Sequence, residues 1–422
     1  MTACVTAPVG LTVRHSPLTG LLQIGFRLET PAAPGTLGGE FRALGASPSG
    51  VAPANATLEL VRHAPGWLRV EATAMLPPHL PIDTLRLLLT RDGAPFLSVA
   101  PSPALREESA PATLEPAQGG VRATAWAMPG VRPGLRVDNR TEALHRLASG
   151  LWHTLLPAPP HRLAVTTPGD PGLVTNPLEG WLSPTPHDPR LDALRGRHAG
   201  ETAWLVGNGP SVRMEDLEAL RGRLCFGFNR LHLAYDRSGF RPTHTVSGDP
   251  QMIRDFGARI AAEAGGTVFL AAPERPDLPG DWIWLRQEAV WPPLFSLDPR
   301  RVVGAGGSSL FVAMQLGWWM GVRRFLLYGV DFAFADAAPG ADGLARGDGN
   351  HFIPGYRDGR PWVPPSWRDI CAAFLLARRL AESEGGWLRN ATRGGRLDWL
   401  PREDFAVAVQ SHAAPGRDFR HI

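Results

Sequence analysis

From about residue 192 to residue 395, short apolar runs suited to strands alternate with stretches of helical period. Few arrangements accommodate that alternation. Residues 202–206, 224–228, 243–247, 267–271, 301–303, 325–330 and 387–389 read as strands, and 214–221, 250–264, 308–320 and 365–384 as helices. Strand and helix in turn predict a doubly wound, mostly parallel (Rossmann-like) α/β sheet over residues 192–422.

In such a sheet a ligand lies outside the carboxyl ends of the strands, so the residues after each run matter most. Small and amide-bearing polar residues gather there. The first run is followed by Gly207-Asn208-Gly209-Pro210-Ser211, the second by Asn229-Arg230 and the third by Gly248-Asp249-Pro250. Later runs are followed by Gly304-Ala305-Gly306-Gly307-Ser308-Ser309, by Asp331 and by Asn390-Ala391-Thr392-Arg393-Gly394-Gly395. The chain holds seven asparagines, and three of them fall at these ends, which marks the strand ends as a candidate binding crevice.

Each piece has its own chemistry. Gly207 and Gly209 let backbone come close to a ligand, and Ser211 can cap the next helix. Asn208 and Asn229 each offer a donor and an acceptor to a sugar, base or phosphate. Gly307, Ser308 and Ser309 open a helix, a natural place for a phosphate. Asp249 and Asp331 suit ribose hydroxyls or a metal, or simply cap loops. The Trp318-Trp319 pair fits a core better than a stacking platform. Residues 333–363, rich in glycine, read as a mobile lid carrying Asn350-His351-Phe352 and Tyr356. His351 is the candidate base there, and the Tyr356 hydroxyl is a candidate phosphate ligand.

Composition excludes several mechanisms. All 43 Lys and Arg residues are arginine, which removes Schiff-base, Walker-A and kinase-lysine chemistry. There is no D-x-D, G-x-S-x-G or H-E-x-x-H, so the usual metal-bridged diphosphate site is disfavoured and no metal ligand is assigned. The formal charge of +3 is too mild to predict nucleic-acid binding. Cys4, Cys225 and Cys371 are odd in number and far apart, which fits reduced thiols in the cytoplasm. Neither a signal peptide nor a transmembrane segment is expected.

The first half reads differently. Short strand-like runs at 21–28, 58–62, 67–73, 85–90, 96–100 and 121–128, split by Pro and Gly, predict a β-rich, sandwich-like domain over residues 1–135. Arg91-Asp92-Gly93 reads as a hairpin turn. Residues 136–191 read as a helix at 141–155 followed by a proline-rich linker.

The motifs of the second half, taken in order, resemble a known family. Trp204-Leu-Val-Gly-Asn-Gly-Pro-Ser211, Phe226-Gly-Phe-Asn-Arg230, Phe240-Arg-Pro-Thr243 and Ser247-Gly-Asp249 resemble the MptE-like proteins of unknown function, named after a 6-hydroxymethylpterin pyrophosphokinase. Gly306 to Ser309, Tyr328-Gly-Val-Asp331, Asn350-His-Phe352 and Asn390-Ala-Thr-Arg-Gly-Gly395 continue the resemblance over about residues 192–405. The same signatures are similar to the family 42 bacterial sialyltransferases and the flagellin motility accessory factors. The resemblance implies a metal-independent glycosyltransferase that takes a CMP-activated, sialic-acid-like sugar as substrate and needs no cofactor. Asn208, Asn229 and Ser309 would hold the nucleotide, the 306–309 turn and Tyr356 the departing phosphate, and His351 would deprotonate an acceptor hydroxyl on a glycan or protein. Asp249 stands where the sialyltransferases carry asparagine. The β-rich half would hold the acceptor or mediate homo-oligomer assembly. Two rival expectations are a Mg²⁺-dependent pterin-type pyrophosphokinase using Asp249 and Asp331, and a non-catalytic nucleotide-sugar-binding protein.

Overall fold

A computed structural model describes residues 8–16, 21–29, 37–43, 54–55, 57–64, 67–75, 85–100, 105–106, 113–126, 132–148, 151–166, 187–289, 293–332, 344–397 and 400–412. Cys4, residues 167–186 of the expected linker, and Gly340 and Gly343 of the expected lid lie outside the described residues. The chain divides into two compact units, Met1–Pro177 and Leu178–Ile422.

The first unit is built from small, almost wholly antiparallel sheets. Leu21–Glu29 pairs along its length with Trp67–Met75. Its period of two is plain: Leu22, Ile24, Phe26 and Leu28 are buried, while Arg27 and Glu29 are exposed. Those residues join Val70, Ala72 and Ala74 of the same sheet, and Leu85, Leu87, Leu89 and Val99 of another, in one apolar cluster. The 91–93 turn joins Leu85–Arg91 to Ala94–Val99, with Asp92 at φ 49° and Gly93 at 79°. Positive φ at both central positions is the type I′ geometry, whose twist matches that of the flanking strands.

The helix expected at 141–155 does not form. Arg140–Glu142, His145–Ala148 and Leu151–Leu156 are strands, and the last pairs antiparallel with Gly120–Trp126. The burial pattern gives the reason: Thr154 and Leu156 face inward with Leu155 exposed between them, a period of two rather than 3.6. Pairing with a neighbouring strand outweighs a weak helical preference. Strands continue to Leu163–Thr166.

The second unit carries a sheet of eight parallel strands: β1 (Thr202–Val206), β2 (Cys225–Phe228), β3 (His244–Ser247), β4 (Thr267–Ala272), β5 (Ile283–Glu288), β6 (Val303–Gly304), β7 (Arg324–Tyr328) and β8 (Trp387–Asn390). Their order is β6-β5-β4-β3-β2-β1-β7-β8, so the winding reverses between β1 and β7. The helices are α1 (Arg190–Leu194), α2 (Met214–Ala219), α3 (Pro250–Glu263), α4 (Ser309–Trp319), α5 (Trp367–Ser383) and α6 (Phe405–Ser411). This is a Rossmann-like α/β unit. Among the described residues no helix is long and apolar enough to cross a membrane.

Helix α4 is apolar nearly all round, and its Trp318 and Trp319 are core residues, each 8% exposed. Past the helix's first residue, Ser309, Gln315 is the polar exception. Its Oε1 accepts from the backbone N–H groups of Ser296 and Gly304, both at 2.8 Å, and its Nε2 donates to the carbonyls of Gly304 and Phe311. The side-chain amide thus does for β6 what a ninth strand would do. Gln315→Leu should strand three backbone groups away from water, and each buried orphan costs about 1–3 kcal/mol. The expected outcome is a loss on the order of 3 kcal/mol of unfolding free energy, read as a lower urea midpoint of the full chain; an unchanged midpoint would show that water replaces the amide.

Candidate functional site

The reversal at β1–β7 is where an open α/β sheet offers its widest crevice. Here the chain itself fills that point. Gly207 N–H donates to the Tyr328 carbonyl and Gly209 N–H to the Gly329 carbonyl. Ser211 donates to Asp331 Oδ2 from its hydroxyl at 2.8 Å and from its N–H at 3.3 Å. A Cβ on Gly209 would stand 1.9 Å from that carboxylate oxygen. Gly207, Gly209, Ser211 and Asp331 therefore form one interlocked turn, and the glycines serve the approach of Asp331 as much as that of any ligand.

Open hydrogen-bonding capacity lies one strand over, at the ends of β1, β2 and β3. Asn208 Nδ2 donates to the Phe228 carbonyl at 2.9 Å, while Asn208 Oδ1 is buried with no partner. Asn229 sits at φ 49°, a left-handed conformation that asparagine tolerates better than most residues, and its Oδ1 accepts from the Ser247 hydroxyl at 2.9 Å. Among the described residues its amide nitrogen has no partner. One unused acceptor and one unused pair of donors thus sit on neighbouring strand ends. Ser309 Oγ accepts the Gly248 N–H at 2.8 Å, which leaves its hydroxyl proton available, and Gln287 holds the Gly248 carbonyl from the other side.

Other expected site residues are occupied structurally. Asp249 Oδ1 caps α3 through the N–H groups of Gln251 and Met252. Ser308 caps α4 through Leu310. A Cβ on Gly307 would come within 3.1 Å of Asp369 Cβ, so the tight glycine turn admits helix α5 rather than phosphate. After β8, buried Asn390 accepts from Thr392 N–H, and Arg393 forms a paired bridge to Asp216, which also takes the Tyr328 hydroxyl at 2.7 Å. Burial raises the Asp216 pKa, but Arg393 and Tyr328 outweigh it and hold the carboxyl below its ordinary value. That motif closes the fold rather than facing ligand.

The 344–363 segment lies over the β1 and β2 ends, because Phe352 N–H donates to the Asn208 carbonyl at 3.0 Å. A mobile lid was the expectation, but the described part is anchored at several points. Gln251 grips it like a strand partner, donating to the Pro361 carbonyl and accepting from Val363 N–H. Asp348 receives the N–H groups of Gly355 and Arg357, and buried Arg357 pairs with Asp255 at 2.9 Å. The Tyr356 phenol, expected to meet phosphate, is turned inward instead. It is 1% exposed, and its hydroxyl accepts the Arg230 N–H. The His351 ring stacks on Tyr356 at 3.8 Å and 9°. Among the described residues neither imidazole nitrogen has a partner, and Nδ1 is buried. Burial pulls the His351 pKa down to about 4, with Asp348 opposing and Arg357 and Arg230 assisting.

Among the described residues no group of three or more His, Cys, Asp or Glu is placed to hold a metal ion. Asp249 and Asp331 follow β3 and β7, three strand positions apart, or about 14 Å at the usual inter-strand spacing. Compared with known proteins, the chain matches no family model and no curated protein.

Arg230, Arg357 and Gln251 were not assigned roles from sequence. Arg230 had one signal, its place directly after a strand-end asparagine; the other two act through contacts more than a hundred residues away.

Among the described residues three histidines are held neutral by burial, His351 and His232 at about 4 and His244 at about 3. An unfolded histidine titrates near 6.5. Below that pH the unfolded chain takes up protons that the folded chain refuses, so stability should fall as pH drops from about 6.5 toward 4. Urea midpoints from pH 7.5 to 5.5 should decline, and His244→Phe, which suits the rings of Phe226 and Phe269 around it, should flatten the decline. A flat wild-type profile over that range would contradict the assignment.

Proposed function

We propose that this protein is a glycosyltransferase that binds a nucleotide-activated sugar, CMP-linked in the simplest case, at the carboxyl ends of β1–β3. The observation that carries the reading is the pair Asn208 and Asn229. They sit on adjacent strand ends with a buried, unpartnered carbonyl oxygen on one and free amide hydrogens on the other. Such groups match a nucleoside, which presents donors and acceptors together. Ser309 adds a hydroxyl proton, and the second carboxylate oxygen of Asp249 suits a ribose hydroxyl. The ordered sequence motifs favour kinship with the MptE-like and family 42 proteins.

In this reading His351 takes the acceptor hydroxyl proton as the acceptor oxygen bonds to the anomeric carbon. The bond from that carbon to the phosphate oxygen breaks, and the phosphate leaves with its electron pair, through an oxocarbenium-like state. Depression of its pKa keeps the imidazole neutral at physiological pH, the form a base requires. The Mg²⁺-dependent pyrophosphokinase reading is less favoured, because its two acidic candidates end strands about 14 Å apart. A non-catalytic binding protein would share the nucleotide site without transfer. The apolar cluster shared by two sheets of the first unit supports a sandwich there, for acceptor binding or self-association. Cys225 and Cys371 are buried thiols outside any disulfide, which suits a cytoplasmic setting.

Asn208→Ala should weaken nucleotide binding several-fold by calorimetry, since a neutral hydrogen bond contributes about 0.5–1.5 kcal/mol, while the protein stays folded. Binding should survive EDTA; a strict Mg²⁺ requirement would favour the pyrophosphokinase. His351→Ala should keep nucleotide affinity and lose about 10²–10⁴-fold in transfer rate. The wild-type acid limb of kcat/KM should lie near pH 4 rather than near 6.5, because it reports the free-enzyme pKa of His351. A mutant turning over at wild-type speed removes His351 from the mechanism.

A further inference from the structure

Phe256 of α3 is surrounded by guanidinium groups. Arg230 lies 4.0 Å from its ring centre, and Arg357 and Arg360 each lie at 5.4 Å. One carboxylate, Asp255, serves both Arg357 and Arg360. Arg230 has none: it is 2% exposed, and among the described residues it pairs with no acid. Its NH1 donates only to the carbonyls of Gly355 and Tyr356, and its Nε is buried without a partner. Arg357 is equally buried, and its Nε is also unpartnered. Asp358 and Arg259 act on Arg230 only through space, with opposite signs.

A buried cation without a counter-charge is costly, and a buried N–H without an acceptor adds to that cost. Arg230 is such a group, directly after Asn229, and beside the same ring stands Arg357, which is paired with Asp255 but keeps its own Nε without an acceptor; together they describe a site whose missing component is an anion. Guanidinium suits a phosphoryl group, because its planar fork matches two oxygens at once. The Tyr356 hydroxyl and the glycine turn before α4 are both engaged within the fold, so neither supplies that role.

We propose that Arg230 and Arg357 form a phosphoryl-binding site beneath the 344–363 segment, with Arg230 exchanging its bonds to the Gly355 and Tyr356 carbonyls for phosphoryl oxygens. The segment over the crevice then responds to the ligand's charge: release of those two carbonyls loosens its 355–356 turn, while Gln251 and Asp348 keep its flanks in place. This rests on the nucleotide reading for the identity of the ligand but not for the existence of the anion site.

The test titrates the full chain with cytidine, cytidine monophosphate and inorganic pyrophosphate, in wild type and Arg230→Gln. Wild type should bind the monophosphate at least about ten-fold more tightly than the nucleoside. Arg230→Gln should lose that gain and all pyrophosphate binding while holding cytidine as before. If Arg230→Gln keeps the phosphate gain, the site is overturned and the nucleotide reading stands. If only pyrophosphate binds, and Arg230→Gln abolishes it, the anion site stands and the nucleotide reading falls. If wild type binds none of the three, both fall. Should Arg230→Gln fail to fold, hydrogen exchange on wild type replaces it. Pyrophosphate should then alter exchange in peptides covering 352–358, and an unchanged rate there overturns the site.

Discussion

Asn208 joins three parts of the α/β unit that would otherwise be separate. Its amide nitrogen binds the carbonyl that ends β2, and its backbone carbonyl receives the N–H of Phe352. The first bond sets the spacing of the β1 and β2 loops, and the second brings the 344–363 segment down onto them. Tyr356 then reaches the Arg230 N–H, His351 stacks on Tyr356, and Arg230 turns toward Phe256. Together with the Gln251 and Asp348 anchors, these contacts tie the geometry of the candidate base and of the buried cations to Asn208, through its backbone as well as its side chain. That side chain retains an unused, enclosed oxygen, which can accept a further hydrogen bond.

Side-chain amides recur where backbone would lack a strand partner. Gln315 takes both the N–H and the carbonyl of Gly304, Gln287 the carbonyl of Gly248, and Gln251 the 361–363 stretch. An amide carries donor and acceptor in the same spacing as a peptide group, so it extends a ladder without adding chain. Among the described residues these amides hold the loop after β3, the end of β6 and the 361–363 stretch in place.

Much of the α/β unit was legible in the order of apolar runs, because parallel strands such as β2, and β1 and β4 after their opening threonine, are buried and apolar. Strand β5 escaped notice because Trp284, Arg286 and Glu288 interrupt it and its third inward residue is Gln287. The 141–155 stretch misled because a partner strand, invisible locally, decides its conformation. Of the candidate site, the two asparagines and Ser309 were readable from their places at strand ends. The inward turn of Tyr356, the engagement of Asp331 by Ser211 and the isolation of Arg230 were not. Each depends on contacts across more than sixty residues, and a strand-end position does not disclose whether a polar group meets ligand or meets the fold.

The two-residue strand β6 has a consequence for how the molecule meets its own copies. An open sheet border normally displays unpaired peptide groups that recruit strands from other chains. At this border Gly304 has already given both its groups to Gln315, and what remains is too short to template a newcomer. A chain with a large parallel sheet is exposed to intermolecular strand addition while it folds. Seating one glutamine from a buried helix turns that margin from adhesive to inert, and ties solubility during folding to the docking of α4.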